Sequence, residues 1–146
     1  MIHMYIFESS ETYNMLGGMF FGIPTNNGGI YIENHSSLYT FNRQDELLPL
    51  DMLLKHEYTH YLDGRYNIHG TFGELEFYDW IAGRYVWWTE GLANYVASAE
   101  PETGFYISAF SGNLISNDNG NYLSLETSLR NSYNYGGRMY AYSEAA

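Results

Sequence analysis

Two histidines and a glutamate in the run His56-Glu57-Tyr58-Thr59-His60 are the residues best placed to do chemistry in this chain. They follow the HExxH pattern, in which one helix offers two imidazoles to a zinc ion and a glutamate to a proton. Residues four apart on an α-helix lie about 40° from each other around the axis. His56 and His60 can therefore reach one cation, with Glu57 on the adjoining face. Zinc hydrolases commonly use three protein ligands and keep a fourth position for water, so a third ligand is needed. The longer pattern HExxHxxGxxH requires glycine where Asp63 stands and histidine where Tyr66 stands, and His69 is out of step. Glu90 is the favoured candidate: it is expected to open a second helix, with Gly91 and Ala93 small enough to let that helix pack closely on the first. Glu74, Glu76 and Asp79 are weaker competitors, and a solvated carboxylate at a helix start is the alternative for Glu90 itself. With His56, His60 and Glu90 on zinc, water becomes acidic enough for Glu57 to take its proton, and attack on a peptide carbonyl follows.

Positioning these groups falls to two helices. Leu50 to Gly64 carries Pro49 at its start, Asp51 in its first turn and Gly64 as a natural stop. Asp51, Lys55, Thr59 and Asp63 recur at i+4 spacing and predict one water-facing stripe, surrounded by Leu50, Met52, Leu53, Leu54, Tyr58, Tyr61 and Leu62. The second helix is predicted over Val86 to Ala99, closed by Glu100-Pro101, after a glycine-punctuated loop (65 to about 78) and an aromatic run from Trp80 to Trp88. Its apolar side is Trp88, Leu92, Tyr95, Val96 and Ala99; Glu90, Ala93, Asn94 and Ala97 form a face of small residues that something can approach closely.

Before the first of these helices, Ile2 to Phe7 reads as a strand, and Ser9 to Thr12 starts a short helix that ends before Gly17-Gly18. Gly29 to Glu33 and Leu38 to Phe41 read as two further strands. After the second helix, Gly104 to Phe110 is predicted extended and Ser111 to Asn121 a loop. Ser124 caps a short helix over Leu125 to Asn131, and Arg138 to Ala146 is helix-like with no stop signal, as though the chain continued. The organisation expected is one unit over 1–146: a sheet in 1–49, the HExxH helix in 50–64, the glutamate helix in 86–100 and a helical remainder in 101–146.

At 146 residues, 45% of them hydrophobic, the chain can bury a core. Seventeen acidic against 6 basic residues give a formal charge of -11, which disfavours nucleic acid and anionic membranes as partners and suits bound cations. No cysteine is present, so any zinc must rest on histidine and carboxylate. No apolar run is long enough to span a bilayer, and Met1-Ile2-His3-Met4 does not read as a secretion leader. Most of the 16 tyrosines are expected to be structural, and His3, His35 and His69 to be structural or surface residues.

Three segments, HEYTHYLDGRY at 56–66, WWTEGLANYV at 87–96 and NNGGIYIE at 26–33, closely resemble the catalytic peptidase subdomain of bacterial collagenases, the M9 metallopeptidases of the gluzincin group. The resemblance implies an α+β, zincin-like (thermolysin-like) fold and secretion. It implies zinc on His56, His60 and Glu90, with Glu57 as general base, and cleavage of collagen or gelatin-like peptides. It further implies a calcium ion held by Glu33 and by the carbonyls of Gly64, Ile68 and Gly70, and oxygen ligands suit that ion. Gly28, Gly29 and Tyr31 match the edge strand on which a substrate peptide pairs, the paired glycines letting another backbone come close. A late tyrosine near the reacting carbonyl corresponds to Tyr142, with Tyr140 close behind.

One position departs from the family. Four residues beyond its zinc glutamate the family has a second glutamate that orients a ligand histidine, whereas this chain has Asn94. An amide still orients an imidazole but brings no charge, and loss of such a partner weakens zinc binding about 10–100-fold; Asn94→Glu is then expected to tighten zinc. The competing readings are a collagen- or peptide-binding module with impaired catalysis, and a zincin acting on another protein substrate.

Overall fold

Alternation along the third strand divides the interior in two. In a computed structural model, the described residues are 1–43, 48–67, 75–100, 102–104, 107–130 and 137–146, with 75–85 described for the backbone only. Strands β1 (His3–Phe7), β2 (Gly29–Ile32) and β3 (Ser37–Phe41) form one sheet in the order β1-β3-β2. β1 runs parallel to β3, with Tyr5 opposite Tyr39, and β2 runs antiparallel to it, with Gly29 opposite Thr40. Together with the helices this makes the protein α+β, with a small mixed sheet.

Side chains alternate across a sheet, so Tyr39 and Phe41 share one face and Leu38 and Thr40 the other. The first face meets helix α1 (Ser10–Leu16), whose start is capped by the Ser9 hydroxyl accepting from the Thr12 N–H. Here Tyr13, Ile23 and Tyr39 form a core with Phe7, Phe21, Ile30, Ile32 and Phe41 around it. The buried Tyr13 hydroxyl donates to Asn27 Oδ1 at 2.7 Å. α1 does not stop at Gly17 but continues as a π-helical turn over Gly17–Phe21, ended by Gly22 at φ +65°. That extra turn brings Phe21 against Tyr5, Phe7 and Tyr39.

The second face meets α2 (Leu50–Tyr66). A side chain on Gly29 would stand 3.0 Å from Leu53 Cδ2 and 3.2 Å from Thr40 Cβ, so this glycine lets the helix settle on the sheet. β2 stops at Ile32, and Glu33 instead opens a 3-10 turn, Glu33–His35, which Ser36 at φ 46° swings into β3.

Five further expectations change. Gly64 does not stop α2; it is buried within a helix that runs two residues further. The predicted wet stripe is only half wet: Thr59 and Asp63 are buried, while Tyr58 and Leu62 are exposed. Both buried residues find local partners, Thr59 donating to the Lys55 carbonyl at 2.7 Å and Asp63 Oδ1 accepting from Asn67 Nδ2 at 2.9 Å. The second long helix, α3 (Leu75–Ser98), begins eleven residues before Val86 and absorbs the aromatic run. Its orientation also differs from a hydrophobic-in reading: Trp88, Tyr95 and Val96 are exposed, and Glu90, Ala93 and Ala97 are buried.

The last change concerns 104–121. Instead of an extended stretch and a loop, α4 (Ala109–Asn117) forms there, capped by Ser108. Its start is held by a buried carboxylate from far along the chain: Glu144 accepts from the Ser108 N–H at 2.5 Å, from Ser108 Oγ at 2.8 Å and from Ser111 Oγ. An acid at a helix N-terminus is stabilising, and a partner 36 positions away leaves no local mark. α5 (Leu125–Leu129) is capped by Ser124 as predicted. α6 (Gly137–Ala145) packs against α3, where Gly91 lies so near the Ser143 carbonyl that a methyl group would collide with it. Gly91 thus admits α6 to α3, not α3 to α2.

Candidate metal centre

α2 presents His56 and His60 on successive turns, and α3 lays Glu90 against them. His56 Nε2 and His60 Nε2 lie 3.0 Å apart, and Glu90 Oε2 is 3.3 Å from the first and 3.7 Å from the second. All three residues are buried, at 8, 7 and 5% exposure, and their ligating atoms form a possible metal site. Ligands about 2.0–2.1 Å from a tetrahedral zinc stand about 3.3 Å from one another, so the observed separations bracket what that ion needs. The donor set, two imidazoles and one carboxylate, also has the right chemistry. Glu90 is not at a helix start: fifteen residues of α3 precede it, which removes the reading of a solvated, dipole-held carboxylate. Glu76 and Asp79 lie on α3 about 16 Å or more along the axis from Glu90, too far to join the cluster, and Glu74 lies outside the described residues.

Electrostatics sharpen the arrangement. Burial holds the His60 imidazole down at about 4, so it is neutral near pH 7, as a ligand must be. Burial also pulls on His56, but the hydrogen bond and charge of Glu90, helped by Glu57 and Asn94, carry it above its ordinary value. Burial and the neighbouring Glu90 charge lift Glu57 to about 7, against the opposing pull of His56 and the Tyr31 main-chain N–H. Glu57 is thus a buried carboxyl held well above the ordinary carboxylate range.

Asn94, one turn beyond Glu90, sets its Oδ1 2.8 Å from His56 Nδ1, and its Nδ2 donates to the Tyr140 carbonyl at 3.3 Å. Tyr142 and Tyr140 part company. On a helix, residues two apart are about 200° apart. Tyr142 turns to Asp118, donating at 2.5 Å beneath the Arg138 guanidinium, which itself donates to Asp118. Tyr140 is the one that senses the cluster: burial, then Glu90 and Glu57, push its phenol to about 12. The main-chain carbonyl that holds Asn94 has no sequence signature, since every residue carries one.

On the sheet side, Tyr31 packs edge-on against Tyr61, with ring centres 5.9 Å apart. Burial and the Glu33 charge raise its phenol to about 12. A side chain on Gly29 would press on Leu53 and Thr40, whereas one on Gly28 would meet only the movable end of Arg43. Glu33 is half-buried and Gly64 lies within α2, whereas Ile68, His69 and Gly70 fall outside the described residues. His35 bonds the Tyr39 hydroxyl at 3.2 Å, a structural role as expected.

The sequence profile of the collagenase family, peptidase M9, matches residues 1–146. The chain belongs to that family. Among curated relatives, the chain is 40% identical over 101 residues to "Collagenase ColA" of Clostridium perfringens, covering 68% of this chain and 9% of the relative. It is 40% identical over 96 residues to "Collagenase ColT" of Clostridium tetani, covering 64% and 10%. To the "Microbial collagenase" of Vibrio alginolyticus it is 36% identical over 103 residues, covering 63% and 12%. The chain thus spans about a tenth of the length of the relatives it matches. Among the described residues, no helix is long and apolar enough to cross a membrane.

Proposed function

We infer that this protein is a zinc-dependent endopeptidase of the bacterial collagenase type, zincin-like in fold, secreted, and acting on collagen or gelatin-like peptides. The observation that carries the reading is the convergence of His56, His60 and Glu90 with the buried Glu57 beside them. A zinc ion held by the three would lower the pKa of a water towards about 7 and polarise the scissile carbonyl. Glu57 takes the proton from the attacking water and returns it to the leaving amine. Tyr140, its phenol pushed up to about 12, donates a hydrogen bond towards the carbonyl oxygen as negative charge grows there. Tyr142 braces α6 from behind. The substrate pairs through its main chain with the outer edge of β2 at Gly28, Gly29 and Tyr31, since β3 occupies the inner edge.

Zinc stoichiometry combined with cleavage of a quenched collagen-like peptide, with and without chelator, tests this reading. One zinc per chain and chelator-sensitive cleavage are expected, and Glu57→Gln is expected to keep the zinc while losing cleavage about 10²–10⁴-fold. Peptide binding without metal would favour the binding-module reading, and cleavage confined to unrelated peptides would favour a different protein substrate.

A calcium ion at the C-terminal end of α2 belongs to the same proposal, held by Glu33 and the carbonyls of Gly64, Ile68 and Gly70. Asp63 supports it. The residue is 2% exposed, and Oδ2 has no hydrogen-bond partner among the described residues. A buried anionic oxygen is costly unless paired, and the helix end adds negative potential. Calcium is expected to raise Tm, with a smaller rise in Asp63→Asn; a Tm indifferent to calcium would remove the ion.

A further inference from the structure

We propose that Asn94 ties the seating of α6 to the orientation of His56, making the C-terminal helix a positioning element of the metal centre. This rests on the metal reading above and adds a coupling that the three ligands do not contain.

The amide of Asn94 is polar at both ends, and each end is spoken for. Nδ2 can only donate, and it faces the Tyr140 carbonyl at 3.3 Å, which can only accept. The amide is therefore held in one of its two flips. Its Oδ1, which can only accept, must then point at His56 Nδ1 2.8 Å away. His56 Nδ1 is then the donor to Asn94, which fixes the ring so that Nε2 is the nitrogen turned towards His60 and Glu90. The carbonyl of a helix 46 positions away thus sets the way the His56 ring faces the site. α6 is in turn fixed at several points independent of Asn94. Gly91 admits its backbone, Glu144 anchors it to α4, and Arg138 and Tyr142 clamp it to Asp118.

A carboxylate at position 94 could not do this. It would orient His56 more strongly, but would set an oxygen against the Tyr140 carbonyl. This chain therefore gives up charge on the imidazole in exchange for a link to α6. Because coupling is reciprocal, loading the metal must steady α6, and a well-seated α6 must favour the metal.

Three chains test this: wild type, Asn94→Asp, which keeps the acceptor and loses the donor, and Asn94→Leu, which loses both. The readouts are backbone amide exchange along 137–145 with and without zinc, zinc affinity by competition with a chromophoric chelator, and the ¹⁵N-detected tautomer of His56 in the metal-free chain. In wild type, zinc is expected to slow α6 exchange. Asn94→Asp is expected to keep the Nδ1–H tautomer and bind zinc at least as tightly, yet exchange about tenfold faster in α6. Asn94→Leu is expected to mix tautomers, bind zinc about 10–100-fold more weakly, and lose the effect of zinc on α6. Unchanged α6 exchange in metal-free Asn94→Asp, or zinc protection of α6 that survives in Asn94→Leu, would overturn the coupling. If wild type takes up no zinc, the metal reading fails; the metal-free tautomer and exchange comparison still decides whether α6 governs His56.

Discussion

Glu57 and His60 are neighbours on one buried helix face, and burial moves them in opposite ways. An uncharged carboxyl and an uncharged imidazole are both favoured in a dry setting, so Glu57 rises from 4.5 to about 7 while His60 falls from 6.5 to about 4. For Glu57 the folded value exceeds the unfolded one. Its contribution to stability is therefore fully present below about pH 4.5 and is lost as pH rises through about 7. In the metal-free protein, Glu57→Gln should accordingly be more stable than wild type above pH 7, by about 3 kcal/mol at 1.36 kcal/mol per pH unit. The gap should close below pH 4.5. Urea denaturation across this range measures it, and a gap independent of pH would mean that Glu57 does not ionise in a buried site. The convergence of His56 and His60, with Glu57 beside them, was legible in the sequence because a helix fixes the angles between residues three and four apart; that Glu90 joins them depends on how α3 packs on α2. Tyr140 was harder to single out, since choosing between it and Tyr142 requires knowing which face of α6 meets α3.

At the scale of elements, legibility followed locality. The strands, the Ser9 and Ser124 caps and the HExxH helix are written in short stretches, and they appear within a residue or two of their predicted bounds. The π-helical turn after α1 and the start of α4 depend on partners distant in sequence, the Tyr5, Phe7 and Tyr39 rings for the turn and Glu144 for α4. The small-residue face of α3 reads as an approach surface, and beside it Gly91 receives α6. A methyl group there cannot be absorbed by a flexible side chain, because it meets backbone. Gly91→Ala should destabilise the protein by about 1–3 kcal/mol, seen as a lowered Tm. An unchanged Tm would show that α6 does not dock as described.

For the whole molecule, the sheet and the two long helices divide the work. One face of β3 builds an aromatic core with α1, and the other receives α2, which carries two imidazoles to where α3 delivers a carboxylate. The acidic balance of -11 fits a chain that binds cations. Membership of the collagenase family covers all 146 residues, while the chain spans about a tenth of its curated relatives. Function therefore rests on whether three side chains from two helices hold one ion. Zinc titration of wild type and Glu90→Ala, each at pH 7.5 with a competing chelator, tests this most directly. One tight site per wild-type chain, weakened by several orders of magnitude in Glu90→Ala while the fold is kept, is the predicted result. Equal affinity in the two chains, or no tight site in wild type, would contradict it.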